Sequence, residues 1–329
     1  MKDVRIIGTG RWIPKNQLTN DDLSSLVDTS DEWIRTRTGI QTRYVSTEEN
    51  TSHLAAKAAQ RAIQSAGLSP KDIDLIIVAT MTPDGAMPST ACLVQKYLEA
   101  ENAFCFDLSA ACSGFVYALA TATQFLQADF YNTALVIGAE ALSKVIDWED
   151  RNTCVLFGDG AGAVVLQKSK KKGIETFYLG ADGKGDELLQ CPGLPLQDPF
   201  AKEKQRIYPV EEILPALTMK GKEVFQFALT IVPACIQRIL HQGRYDLTDI
   251  HHIVLHQANI RILEGVARKM QIPKEKFYSN INQYGNTSAA SIPIALDEMR
   301  EQNLLKEGEK VILVGFGGGL TWGAVLLTW

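Results

Sequence analysis

The chain has 329 residues and a formal net charge of −5, with 46% hydrophobic and 22% charged residues. At about 150 residues per domain, that length suggests two domains or two halves of one large domain, with a core that needs no covalent staples. The mild negative charge argues against nucleic acid as the main partner, because phosphate binding needs concentrated Lys and Arg.

The start, Met1-Lys2-Asp3-Val4-Arg5, is charged and leads into a strand-like run. It does not read as a signal peptide, and a cytoplasmic location is expected. A helix over 52–66 precedes an apolar strand over 75–79, and a further strand ends near Asp107. Such runs suit strands buried on both faces and are far too short to span a bilayer. A helix over 113–127 and strands over 134–138 and 163–166 follow. Residues 191–215 hold five of the twelve prolines (Pro192, Pro195, Pro199, Pro209, Pro215) and read as a long loop. Beyond it come helices over 222–242, 260–270 and 289–301, with strands over 253–255 and 311–314. The alternation predicts an α/β fold with mainly parallel strands.

The chain also repeats itself. A helix ending at Gly67 leads through Asp72-Ile73 into the strand at 75, and a helix ending at Gly243 leads through Asp249-Ile250 into the strand at 252. Later, 134–138 with 158–165 resembles 311–315 with 317–326. We read two duplicated halves, residues 1–170 and 171–329.

Six cysteines, at 92, 105, 112, 154, 191 and 235, form no C-x-x-C pair and show no zinc spacing. Cys112 lies in Asp107-Leu108-Ser109-Ala110-Ala111-Cys112-Ser113-Gly114-Phe115, just as a helix begins. Unpaired N–H groups and the helix dipole favour thiolate there. His256-Gln257-Ala258-Asn259 follows a strand, where α/β proteins bind ligands. Tyr284-Gly285-Asn286-Thr287-Ser288-Ala289-Ala290-Ser291 holds, in the second half, the place of the Cys112 segment. Gly317-Gly318-Gly319 offers backbone N–H groups at close approach. Taken singly, each has a structural reading: a core cysteine, a hydrogen-bonded histidine, an N-cap asparagine and a tight turn. Together they supply a nucleophile and donors for a developing negative charge, the equipment of acyl transfer through a thioester.

In this combination the sequence resembles the β-ketoacyl-[acyl carrier protein] synthase III family of the thiolase-like superfamily. Its carriers run from Ile6-Ile7-Gly8-Thr9-Gly10 through Asp31-Glu32-Trp33-Ile34, Thr38-Gly39-Ile40, the Cys112 segment, Asp150-Arg151, Phe157-Gly158-Asp159-Gly160, the His256 segment and the Asn286 segment to the glycines at 317–323. The resemblance implies a five-layered αβαβα fold of two duplicated halves, and a homodimer. It implies condensation of an acyl-CoA primer with malonyl-acyl carrier protein, with no metal, cofactor, nucleic acid or membrane involved. Cys112 is then the nucleophile, His256 and Asn286 hold the malonyl carbonyl, and the N–H groups of Cys112 and Gly318 form the acyl oxyanion hole. Trp33, Arg37 and Arg151 fall on CoA-binding positions. Gln257, Ala258, Asn259, Ile260 and Arg261 match the carrier-protein contact, with Arg268 and Lys269 as an added basic face.

Two departures bear on primer choice. The 191–215 segment is longer than the family usually carries, and Met87 stands where many members place an aromatic residue that closes the acyl pocket of the partner subunit. A cysteine hydrolase lacks its papain-type surroundings here, a thiolase lacks its second cysteine, and a chain-elongating enzyme would carry a His-His pair. A condensing enzyme of secondary metabolism and a non-catalytic subunit are the remaining alternatives.

Overall fold

The computed structural model describes residues 3–128, 130–193 and 216–329. Strands β1 (Asp3–Trp12), β2 (Leu75–Ala79), β3 (Phe104–Leu108), β4 (Thr133–Glu140) and β5 (Gly160–Ser169) form one sheet, in the spatial order β1-β5-β4-β2-β3. Strands β6 (Ile174–Ala181), β7 (His252–Leu255), β8 (Phe277–Tyr278), β9 (Lys310–Gly317) and β10 (Thr321–Thr328) form a second, in the order β8-β7-β9-β10-β6. Within the first, β3, β2 and β4 are parallel while β5 and β1 run antiparallel. The second repeats this, with β8, β7 and β9 parallel and β10 and β6 antiparallel. Half of the pairings are thus antiparallel, against the mainly parallel expectation. The chain returns from β9 to β10 through a tight turn, and such a return makes antiparallel neighbours; only a crossover makes parallel ones.

Among the described residues, seven helices have eight residues or more: α1 (Asp31–Thr38), α2 (Thr51–Ser65), α3 (Thr90–Leu98), α4 (Gly114–Gln127), α5 (Gly221–Gly243), α6 (Ile260–Met270) and α7 (Ser291–Glu301). Alternate residues of each central strand face opposite layers. In β2, Ile76 and Val78 pack under α2 and α3, while Leu75 and Ile77 face α4 and α7. In β9, Ile312 and Val314 pack under α5 and α6, while Val311 and Leu313 face the central helices. The result is αβαβα, and it explains why these strands read as unbroken apolar runs. Each fully buried Leu or Ile contributes ~1.5–3 kcal/mol.

The start of helix α3 is held by Ser89 at the N-cap and by Asp107, whose carboxylate accepts from Thr90 N and Ala91 N at 2.7 Å. Helix α5, with 23 residues, is long and apolar enough to cross a membrane, unlike the short runs considered above. Its apolar side, including Val232, Ile236 and Ile239, is buried on the second sheet, while Lys222, Glu223 and Arg238 stay exposed.

The halves interlock at two glycines. A Cβ on Gly138 of β4 would lie 2.2 Å from the Ala289 carbonyl oxygen, and one on Gly315 of β9 would lie 3.0 Å from Ser113 Cα. Each sheet therefore carries, on bare backbone, the turn that enters the other half's central helix. Leu189–Gln190 pairs antiparallel with Thr218–Met219 and brackets the Pro-rich segment, of which residues 194–215 lie outside the described residues.

Candidate active site

After β3 the chain turns through Ala110 into a single 3-10 turn, Ala111–Ser113, that continues as α4. Ala111 makes the turn at a φ of 45°. Ser288, at a φ of 48°, opens the matching turn ahead of α7. Cys112 thus stands at a helix entrance, but it is only 5% exposed. Burial pushes its thiol up to about 12, opposed by the Ser288 hydroxyl and its own backbone N–H. Loss of water outweighs the helix end that favours thiolate, and the group rests protonated.

Gly317 lets the end of β9 close over this turn, since a Cβ there would lie 3.2 Å from Cys112 Sγ. Gly318 follows, against Leu189. Thr321 ties the glycine turn down: its Oγ1 lies 2.9 Å from the Ala110 carbonyl, and its own carbonyl accepts from Ser113 Oγ at 3.0 Å.

His256 follows β7 and is buried. Its Nδ1 lies 2.8 Å from Ser291 Oγ, which also accepts from Gln257 N at 3.3 Å. Burial lowers its pKa to about 3, so the imidazole is neutral. The ring meets Phe316 edge-on, with centroids 5.3 Å apart. Asn286 accepts from Ser288 N through Oδ1 at 2.9 Å, which turns its NH2 group the other way. Its backbone pairs with the first half, donating to Leu156 and accepting from Gly158.

Ser288 is where these groups meet: it bonds Asn286, acts on the Cys112 thiol and touches the His256 ring through its backbone. Its hydroxyl also donates to Glu140 Oε1 at 3.1 Å. Glu140 ends β4 with no exposed surface. It accepts from Thr82 Oγ1 at 2.6 Å and from Thr80 Oγ1, Met81 N and Thr82 N at 3.1 Å. Burial still raises its carboxyl to about 7 against those donors. Sequence reasoning singles out neither Ser288 nor Glu140 by itself. Ser288 lies inside the quoted Asn286 segment, and the only signal for Glu140 is its place at a strand's C-terminal end.

The three residues expected to grip CoA come together. The Arg151 and Arg37 guanidinium groups lie 4.2 Å and 5.8 Å from the centre of the Trp33 ring. Asn259 links them to α6, accepting from Arg261 N at 2.9 Å and donating to the Arg37 carbonyl at 3.1 Å. Arg261, Arg268 and Lys269 are exposed, and Ala258 and Ile260 are half-buried. Gln257, matched to the carrier-protein contact, has its side chain turned inward. It is buried, donates to the Leu255 carbonyl at 2.7 Å and accepts from Ser279 Oγ at 2.9 Å. An amide enclosed there must satisfy its own donors and acceptors, so it braces the loop from within. A small cleft beside His256 is lined by Asn259, Ile260, Leu263 and Ile281 among others. Met87, on the loop before α3, is 86% exposed and so does not belong to the buried interior of its own chain.

Comparison with known proteins agrees along the whole chain. The family described as 3-oxoacyl-[acyl-carrier-protein (ACP)] synthase III matches residues 106–183, and its C-terminal counterpart matches residues 240–329. A β-ketoacyl-[acyl-carrier-protein] synthase III of Clostridium novyi is 52% identical over 329 residues, covering 100% of both chains. The crystal structure of 3-oxoacyl-[acyl-carrier-protein] synthase III from Aquifex aeolicus superposes with a TM-score of 0.91 at 46% identity, over 99% of this chain and 100% of that one. The priming β-ketosynthase of the R1128 polyketide biosynthetic pathway superposes with a TM-score of 0.92 at 33% identity, over 99% of this chain and 96% of that one. With duplicated sheets, a helix-entrance cysteine and full-length identity of this order, the chain belongs to the β-ketoacyl-[acyl-carrier-protein] synthase III family.

Proposed function

We propose that the chain condenses an acyl-CoA primer with malonyl-[acyl carrier protein], giving 3-oxoacyl-[acyl carrier protein], CoA and CO2, the step that starts type II fatty acid synthesis. The observation that carries this reading is the convergence of Cys112, His256 and Asn286 on Ser288, in a buried site between the two sheets. Cys112 attacks the primer thioester, the N–H groups of Cys112 and Gly318 hold the oxyanion, and CoA leaves. The malonyl thioester then enters, and its carbonyl accepts from His256 and Asn286. A neutral imidazole suits that role: in the tautomer in which Ser291 Oγ donates to Nδ1, the other ring nitrogen carries the hydrogen and serves as donor. These bonds strengthen as carboxylate loss makes the carbonyl enolate-like. The departing carboxylate supplies the electron pair, so the reading needs no metal or redox cofactor.

In the same reading, the halves divide at about residue 170. Trp33, Arg37 and Arg151 hold the CoA nucleotide, and Arg261 with its α6 neighbours receives the acidic carrier protein. The chain acts as a homodimer. Support for the dimer comes from β3, an edge strand whose Phe104, Phe106 and Leu108 are only half-buried. Such an apolar edge invites strand pairing. The Pro-rich 191–215 segment has no assigned part.

The test is intact-protein mass spectrometry after mixing with acetyl-CoA, followed by product assay with malonyl-carrier protein. An acyl adduct mapping to Cys112, absent in Cys112→Ser together with all condensation, is expected. Full condensation by Cys112→Ala would refute the reading. The likeness to a priming ketosynthase of a polyketide pathway keeps a second reading in view, a starter enzyme of secondary metabolism using the same site. Loss of fatty acid synthesis on deletion of the gene separates the two.

A further inference from the structure

The reading above gives no part to Glu140, a fully buried carboxyl beside the site, and leaves one chemical question open, the destination of the Cys112 proton. Resting on Cys112 as the nucleophile, we propose that Ser288 and Glu140 form a proton path from its thiol, with Ser288 Oγ passing the proton and the Glu140 carboxylate receiving it as sulfur attacks the primer.

The Ser288 hydroxyl lies 3.1 Å from Glu140 Oε1, and both groups act on the Cys112 thiol, Ser288 as a partner that favours thiolate and Glu140 through a charge that opposes it. The other donors to the carboxylate, from Thr80, Met81 and Thr82, fix its orientation and belong to neutral groups. The remaining titratable neighbours are few. Lys144 holds its ammonium on Thr51 Oγ1 and the Thr82 carbonyl, and the His256 ring touches the Ser288 backbone. A histidine whose conjugate acid ionises near 3 takes little of a thiol proton, whereas a carboxyl near 7 is balanced between its two forms. The duplication makes the same point. Gly317, the last residue of β9, stands where Glu140 stands in β4; it clears space for the sulfur, while Glu140 faces the matching turn at Ser288.

The step balances. As the C–S bond forms, the thiol proton moves to Ser288 Oγ while the Ser288 proton moves to Glu140; the C–S bond to CoA breaks, and the CoA thiolate takes a proton from water. In the second half-reaction, the malonyl carboxylate leaves as CO2, the enolate displaces the Cys112 thiolate, and Glu140 returns its proton through Ser288. One external proton is consumed per turnover.

The experiment follows acetyl-CoA acylation and iodoacetamide alkylation of Cys112 against pH in the wild type, Glu140→Gln and Ser288→Ala. The amide keeps the shape and an acceptor for the Thr80 and Thr82 donors. Ala fits at 288, since Ala111 occupies the matching turn at a φ of 45°. Wild-type acylation should rise with an inflection near pH 7. Both variants should lose that inflection and ~10²–10⁴ in acylation rate, the usual range for general acid–base help. Malonyl-carrier protein decarboxylation, which draws no proton from Cys112, should stay near the wild-type rate in Glu140→Gln. Unchanged acylation with the inflection retained overturns the path. Equal loss of acylation and decarboxylation also overturns it, since that would mean Glu140 only supports the fold. Alkylation mapping elsewhere than Cys112 would instead sink the assignment of the nucleophile.

Discussion

Cys112 and His256 are both uncharged at rest, and burial is the largest cause for each. A site of neutral groups binds a neutral thioester without paying to strip water from ions, and it concentrates its donors on charge that appears only during reaction. His256→Ala and Asn286→Ala should therefore still form the acyl-enzyme while losing CO2 release from malonyl-carrier protein, by ~10²–10³ in rate for each lost donor. Radiolabelled acylation and CO2 assays separate the two, and lost acylation with intact decarboxylation would reverse the roles. Glu140 gives a stability test free of catalysis. Its carboxyl is raised from 4.5 to about 7, so between those values the folded chain keeps a proton that the unfolded chain has released. Stability then falls as pH rises through that window and levels off above it. Glu140→Gln cannot titrate, so its Tm should gain on the wild type by several degrees from the low to the high end of the window. Thermal denaturation at stepped pH measures this, and a constant difference would count against the raised carboxyl.

At the scale of elements, α6 joins two roles. Its N-cap residue Asn259 holds both the first turn and the carbonyl of Arg37, so the segment proposed to receive a carrier protein is tied to the helix that bears Trp33. Arg261 points out beside Phe225 of α5, its guanidinium 5.9 Å from the ring centre. Arg261→Glu should raise the KM for malonyl-carrier protein, with acyl-CoA self-acylation nearly intact. The effect should shrink in high salt, because exposed charges are screened over about 10 Å at 0.1 M. Kinetics at two ionic strengths check this, and an equal loss with a small malonyl thioester would place Arg261 in the fold instead. Gln257, in the same segment, supports the loop from inside and should show no such salt dependence.

For the molecule as a whole, the unassigned quantity is primer length. Met87 is exposed in the single chain, so its influence on a primer tunnel requires a second copy to receive it. Each CH2 buried at a tunnel end contributes ~0.8 kcal/mol, enough for one side chain to set chain length. A flexible thioether adapts where a rigid ring does not. Acceptance of acetyl-CoA together with somewhat longer or branched short primers is expected. Met87→Trp should narrow the profile toward acetyl-CoA and Met87→Ala should widen it, as read from a primer panel. Identical profiles for all three proteins would remove Met87 from the pocket.

The sequence alone determined the elements whose signal is local. The apolar runs at 75–79, 134–138 and 311–314 mark strands because both faces of a central strand are buried, and the period of 260–270 matches α6 residue for residue. Cys112 and His256 stand out in the sequence because each comes after a strand, where small and polar residues contrast with apolar neighbours, and Asn286 because its segment enters a helix through small residues as the Cys112 segment does. What only the tertiary structure decided depends on contacts across long stretches of chain. Helix α3 begins where it does because Asp107, 17 residues on from Thr90, completes its N-terminus. Gln257 turned inward because a backbone carbonyl and a serine hydroxyl waited there. Glu140 lies 148 residues from Ser288, and nothing near it in the chain marks it as different from any carboxylate at a strand end. Its raised carboxyl follows from burial, and burial comes from the interlocking of the two halves through Gly138 and Gly315. Solvation is a property of the folded interior, so no local pattern of residues could have announced it.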